Sequence, residues 1–125
     1  MQRVTVAVLT VLALASLCLV LPDPARAAEG AGKVFKGEIM DDMCAQAGSH
    51  AEMQKQMKSM GTDPKTCTIE CVKMGGKYVL YDAADKKSYQ LDPQDKAKDF
   101  AGQKVKVTGT SDGGTIHVKS ITPGS

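Results

Sequence analysis

Cys44, Cys67 and Cys71 are the residues of this chain best suited to chemistry. Cys67 and Cys71 are four positions apart, and on a helix this spacing places two side chains on one face, with β-carbons about 5–6 Å apart. The spacing suits two ligands of one metal ion, whereas a disulfide needs β-carbons that converge to about 3.8 Å. We therefore expect Cys67 and Cys71 to face a common third group.

If that third group is a metal ion, Cys44 and His50 supply the further ligand atoms that the ion requires. Together with Cys67 and Cys71 they make a Cys3His set, which is a recognised tetrahedral set for zinc. Thiolates and thioethers also select copper(I), and Met43 is close enough in sequence to be an additional candidate ligand. The sequence thus predicts that the chain binds a soft metal ion, zinc or copper(I), through Cys44, His50, Cys67 and Cys71.

A disulfide is the main alternative, because an exported chain with an odd number of cysteines can use two of them as a cross-link. A bridge from Cys44 to Cys67 or Cys71 would close a loop of more than about 20 residues and contribute about 3 kcal/mol. One spare thiol would remain, and the chain would then be a disulfide-stabilised binding or interaction module.

Thiol oxidoreductase activity is less favoured. The two-residue spacing of reactive cysteine pairs is absent, and no lysine or histidine is adjacent to a cysteine to lower its pKa. We therefore expect a protein that is not an enzyme.

Methionines and acidic residues near the cysteines have simpler interpretations. Met53, Met57 and Met60 recur at helical spacing, which is typical of core packing, since the flexible side chain fills irregular gaps. Asp41 and Asp42 can lie in an outer shell of the metal site or at the exposed end of a strand, and the strand end is the expected position.

The first 27 residues are predicted to be a signal peptide. Val4–Leu21 is almost continuously apolar, and Ala25 and Ala27 are the small residues that signal peptidase needs for cleavage before Ala28. An uncleaved anchor is the alternative, because such a run nearly spans a bilayer. We expect a periplasmic or secreted bacterial protein without stable membrane association once the leader is removed.

The amino-acid composition limits the classes of partner that the domain is expected to bind. Residues 28–33 are expected to form a flexible leader, and residues 34–125 a single small domain. The domain has no arginine, which nucleic-acid recognition favours, and no tryptophan for stacking on carbohydrate. A metal ion is thus the expected partner, nucleic acid is not expected, and the sequence does not define a protein partner.

Alternating apolar residues and capping signals set the order of the elements. A strand is expected over Val34–Asp41, followed by a helical insertion over about 42–75. Two helices are predicted there, one capped by Ser49 and one that begins at Asp63–Pro64. Four more strands follow, with a short helix after Asp92–Pro93, between the third and fourth strands.

This order predicts a mainly β domain with an α insertion: a five-stranded, OB-fold-like barrel with a helical pair between strands 1 and 2. Nine alternating apolar residues are expected to fill the barrel. They are Phe35, Ile39, Tyr78, Leu80, Leu91, Val105, Val107, Ile116 and Val118.

Six segments carry a resemblance that covers nearly all of the predicted mature chain. They are Gly37–Cys44, His50, Cys67–Val72, Lys77–Leu80, Gly102–Thr110 and Ile116–Val118. In these segments the chain resembles an uncharacterised family of small exported bacterial OB-fold-like domains. The resemblance implies the fold and the compartment, and the family has no established activity to add.

Overall fold

The computed structural model describes residues 32–58, 61 and 63–125. The predicted signal peptide, residues 1–27, and most of the predicted leader, residues 28–33, lie outside the described residues. Within the described part, no helix combines the length and the apolar character that crossing a membrane requires.

Five strands form one sheet that closes into a ring in the order β1-β2-β3-β5-β4. Neighbouring strands are antiparallel except for the parallel pair β3 and β5. The predicted mainly β, five-stranded architecture is therefore confirmed. The strands are β1 (Lys33–Asp41), β2 (Tyr78–Asp82), β3 (Lys87–Asp92), β4 (Lys104–Asp112) and β5 (Thr115–Pro123).

Strand β1 changes partners along its length. Its first part pairs with β4, and residues from Glu38 to Asp41 pair with β2. Gly37 lies at this changeover, where an added β-carbon would be only 2.5 Å from the carbonyl oxygen of Tyr81. A glycine here lets the two strands approach closely, and the end of β1 is thereby directed towards the helices.

Three helices, rather than the expected pair, connect β1 to β2. They are α1 (Asp42–Ala47), α2 (His50–Gln56) and α3 (Pro64–Lys73). The prediction missed α1, which is too short to show a periodic apolar face. A 3₁₀ helix, Gln94–Phe100, occupies the connection between β3 and β4 where a short helix was expected.

The apolar residues form two clusters on opposite faces of the sheet. All nine residues predicted to fill the barrel lie in or against the inner cluster, with Phe35 at its edge. The outer cluster lies between the helices and the outward face of β1 and β2. It comprises Met40, Cys44, Met53, Cys67, Cys71, Val79 and Tyr81.

Side-chain alternation explains how neighbouring residues serve both clusters. Ile39 and Leu80 point into the barrel, while Met40 and Val79 point outward beneath the helices. Because both faces of these strands are covered, the sequence of β2 is continuously apolar up to its last residue rather than alternating between apolar and polar residues. All three cysteines of the described chain belong to the outer cluster.

Candidate metal centre

Cys44 is held in place by the short helix α1. Asp41 caps this helix, its Oδ1 atom accepting a hydrogen bond of 2.8 Å from the backbone nitrogen of Cys44. Gly48, with φ of 89°, ends the helix in the left-handed conformation that glycine adopts without strain. Cys44 is thereby fixed on a helix, with its side chain fully buried.

Cys67 and Cys71 lie one turn apart on α3, as their spacing predicted. Asp63 caps this helix by accepting a hydrogen bond of 2.9 Å from the backbone nitrogen of Thr66, and Pro64 occupies the first turn. Both cysteines are fully buried on the face that is turned towards the sheet. The helix therefore presents two sulfur atoms to the outer cluster.

The three sulfur atoms converge. The Sγ atoms of Cys44 and Cys67 are 3.5 Å apart, and those of Cys44, Cys67 and Cys71 all lie within 4.8 Å of one another. Zinc–sulfur bonds of about 2.3 Å in a tetrahedral site imply a sulfur–sulfur separation of about 3.8 Å. The sulfur atoms are thus close to the positions that one tetrahedral ion requires.

The alternative disulfide is not formed in this structure. Cys44, Cys67 and Cys71 are free thiols among the described residues. The sulfur–sulfur separation of 3.5 Å exceeds the bond length of about 2.05 Å that a disulfide requires. The expectation that Cys67 and Cys71 face a common third group agrees with this arrangement, in which the Cys44 sulfur lies within 4.8 Å of both.

His50 is close to one of the three cysteines, Cys44. It lies at the start of α2, where Ser49 accepts a hydrogen bond of 3.2 Å from the backbone nitrogen of Glu52, as the capping pattern predicted. One potential donor atom each from Asp41, Cys44 and His50 lies within 4.8 Å of the others. His50 therefore groups with Cys44 and Asp41, rather than with all three cysteines as the sequence suggested.

Asp41 was expected at the exposed end of a strand, and that expectation is wrong. Its side chain is fully buried, and its Oδ2 atom has no hydrogen-bond partner in the described structure. The end of β1 is covered because both α1 and α3 pack against this strand. An aspartate before a short helix is a sequence signal for the cap, but it does not predict that the side chain is buried.

Two further polar atoms near the sulfur cluster are buried without a partner among the described residues. They are Nδ1 of His50 and Oγ1 of Thr68, a residue that immediately follows Cys67 on α3. A buried polar group without a hydrogen bond costs about 1–3 kcal/mol, so such groups concentrated at one place need an explanation. An ion bound among the sulfur atoms would supply the partner that the imidazole lacks.

Methionines surround the sulfur cluster but differ in position. Met40 and Met53 are buried in it, and Met43, the additional candidate ligand, is partly buried against it. Met57 is exposed, so the predicted packing stripe does not run the length of α2. Met60, the last member of that stripe, lies outside the described residues.

Burial keeps the thiols of Cys44 and Cys71 protonated in the metal-free protein by raising their pKa values. Desolvation, together with a hydrogen bond to Asp41, raises the pKa of the Cys44 thiol above its ordinary value. Desolvation, reinforced by the negative charge of Asp41, raises the pKa of Cys71 from 9.0 to about 12. Metal binding must displace these protons, and affinity should therefore increase with pH.

The metal-free protein is expected to lose stability as the pH rises above about 9. The folded pKa of Cys71 is about 12 and its ordinary value is 9.0. Below about pH 9 the Cys71 thiol is protonated in both the folded and the unfolded chain, and its contribution to the free energy of unfolding is fully present. As the pH rises from about 9 towards about 12, the unfolded chain releases the proton while the folded protein retains it, so the free energy of unfolding decreases. Thermal unfolding at about pH 8 and about pH 10.5 measures this loss. The Cys71→Val variant should lose less stability than the wild type between these two pH values. An equal loss of stability in the variant and the wild type would contradict the prediction.

A groove of about 470 Å³ lies next to this cluster. Its walls include Glu38 and Met40 of β1, together with Lys36, Lys104 and Lys106. Met40 and Tyr81 line the groove and also belong to the outer cluster. The groove thus borders the cluster that contains the cysteines.

Comparison with known proteins assigns no activity to this centre. Residues 72–124 match the model of a family described as Protein of unknown function (DUF5818), which fits the predicted resemblance to an uncharacterised domain family. No curated protein and no solved structure matches the chain. The matched range begins directly after Cys71, so β1, the cysteines and His50 all lie outside it.

Proposed function

We propose that this chain is a non-enzymatic domain that binds one soft metal ion through its buried cysteine cluster. The observation that carries the proposal is the convergence of Cys44, Cys67 and Cys71, whose sulfur atoms lie within 4.8 Å of one another with no exposed surface. Two separate helices supply these sulfur atoms, and neither helix would bring them together alone. A bound ion would join the two helices and stabilise the insertion.

His50 is the proposed fourth ligand, completing the Cys3His set. Its Nδ1 atom is buried and lacks a partner among the described residues, while its other ring nitrogen is already hydrogen-bonded. Asp41, whose Oδ2 atom is also without a partner, is the competing donor for that position. His50 and Asp41 group with Cys44 rather than with the other two sulfurs, so whichever side chain is the fourth ligand would have to move closer to Cys67 and Cys71 on binding.

Charge favours zinc over copper(I). Three thiolates leave one negative charge around a zinc ion and two around copper(I), and uncompensated charge is costly in a buried site. The Asp41 carboxylate adds a further negative charge, since it is buried beside the same sulfur atoms. The thioethers of Met40, Met43 and Met53 favour copper(I) instead, so competition between the two ions is part of the test.

Burial also favours a binding role over thiol redox catalysis. A reactive cysteine needs a stabilised thiolate and solvent access, whereas Cys44 and Cys71 are buried and have raised pKa values. In a periplasmic or secreted setting, which we infer from the apolar leader, closely spaced free thiols would be oxidised. Coordination to an ion is a physical reason for them to remain reduced.

An OB-fold barrel is the proposed frame for this centre. The ring of five strands in the order β1-β2-β3-β5-β4 and the helix between β3 and β4 support it. The barrel has its own apolar interior, so it can hold one wall of the site rigid while the helices close over the ion.

Metal analysis of purified, unreduced protein tests the proposal. We expect one zinc or copper(I) ion per chain, with three thiols that become reactive only after a chelator removes the ion. Competition with the other ion then ranks the two affinities. A single reactive thiol with no metal uptake would instead support the disulfide-stabilised module, in which Cys44 is bonded to Cys67 or Cys71.

A further inference from the structure

Glu38 makes a direct contact with the candidate ligand His50. Its Oε1 atom is 2.9 Å from Nε2 of His50, and the two side chains are 22% and 8% exposed. Glu38 lies on β1, three positions before the capping residue Asp41. The contact therefore links the rigid sheet to the first turn of α2.

The contact fixes which ring nitrogen of His50 is available to an ion. An ionised carboxylate only accepts hydrogen bonds, so Nε2 must donate to Glu38. In a neutral imidazole the other nitrogen, Nδ1, then carries the lone pair. Nδ1 is the nitrogen that is buried and without a partner among the described residues.

We propose that Glu38 is a positioning residue for the metal centre, anchoring His50 through Nε2 in the tautomer that leaves the Nδ1 lone pair available to the ion. The inference rests on the proposed function, and it deepens it by assigning a role outside the ligand set. Histidine ligands commonly donate their second ring N–H to a carboxylate, which sets the tautomer and strengthens the ligand. Strand alternation already places Glu38 on the same outward face as Met40, which is buried in the sulfur-rich cluster.

The side chain that Glu38 contacts supports this role. Lys104 is its direct cross-strand neighbour on β4, a position from which oppositely charged residues commonly pair. Among the described residues, however, the side-chain contact of the Glu38 carboxylate is the hydrogen bond with His50. The carboxylate thus contacts the imidazole rather than the neighbouring lysine.

Glu38 can be replaced without opening the core. Its side chain borders the groove of about 470 Å³ and belongs to neither apolar cluster. Glu38→Ala removes the acceptor, while Glu38→Gln keeps an oxygen that can accept from Nε2. Glu70→Ala is the matched control, because Glu70 is a half-exposed carboxylate on α3 whose contact is with Lys73.

Zinc titration of the full chain provides the first measurement. Glu38→Ala should weaken zinc binding about 10–100-fold, which is the usual effect of losing such an outer partner. Glu38→Gln should restore most of the affinity, and Glu70→Ala should match the wild type. Equal zinc affinity in the wild type and in Glu38→Ala would overturn the positioning role and leave the proposed function intact.

Nitrogen NMR of His50 in the metal-free protein gives a readout that a merely structural role would not change. In the wild type, we expect the proton on Nε2 and the lone pair on Nδ1, and Glu38→Ala should produce a mixture of tautomers. A wild-type imidazole protonated on Nδ1 would contradict the inference. Absence of zinc and copper(I) uptake by the wild type would overturn both the proposed function and the role of Glu38.

Discussion

Cys67→Ser is expected to weaken zinc binding by more than about 100-fold. Its Sγ atom is 3.5 Å from that of Cys44, so it is central to the sulfur group that would contact the ion. A serine hydroxyl stays protonated at neutral pH and replaces a charged thiolate with a weak neutral donor. Loss of an outer partner alone typically costs 10–100-fold in affinity, and loss of a direct ligand should cost more.

Met74→Leu is the matched control for this substitution. It also removes a sulfur atom near the end of α3, but Met74 is 57% exposed and lies outside the cluster. Zinc affinity can be measured by competition with a chromophoric chelator, and circular dichroism shows whether each variant folds. A folded Cys67→Ser protein that binds zinc as tightly as the wild type would refute the proposed ligand set.

Saturating zinc is expected to raise the unfolding temperature by at least about 15 °C. An ion that binds only the folded state at 1,000 times its dissociation constant contributes about 4 kcal/mol. In a domain of this size, each kcal/mol corresponds to about 4–8 °C. The effect should be large here because the ion would connect α1 and α3, whose cysteines meet only in the folded chain.

Differential scanning fluorimetry with and without zinc measures this shift, and a chelator should reverse it. Magnesium serves as the control ion, because it prefers oxygen ligands and should leave the unfolding temperature unchanged. The shift should disappear in Cys67→Ser and persist in Met74→Leu. A wild-type shift no larger than that given by magnesium would contradict a soft-metal site.

The strands and their inward-facing residues could be predicted from the sequence because their signals are local. Strand alternation predicted nine core residues, from Phe35 to Val118, and all nine lie in or against the inner cluster. The caps at Ser49 and Asp63 likewise located α2 and α3, since a capping side chain bonds to the backbone only three positions away. Helical spacing also placed Cys67 and Cys71 on one face of α3.

Other features of the centre could not be read from the sequence, because they depend on where distant elements meet. The burial of Asp41 follows from the packing of α1 and α3 against β1, and the contact of Glu38 with His50 joins a strand to a helix. The 3.5 Å separation of the Cys44 and Cys67 sulfurs likewise spans two helices.

Sequence by itself therefore determined which donor types the chain carries and which local elements present them. Tertiary structure decided which of those donors share one buried space, and it added Asp41 and Glu38 to that space. The physical reason is that periodicity and capping act over a few residues, whereas a metal centre is assembled by long-range packing of elements that are remote in the chain.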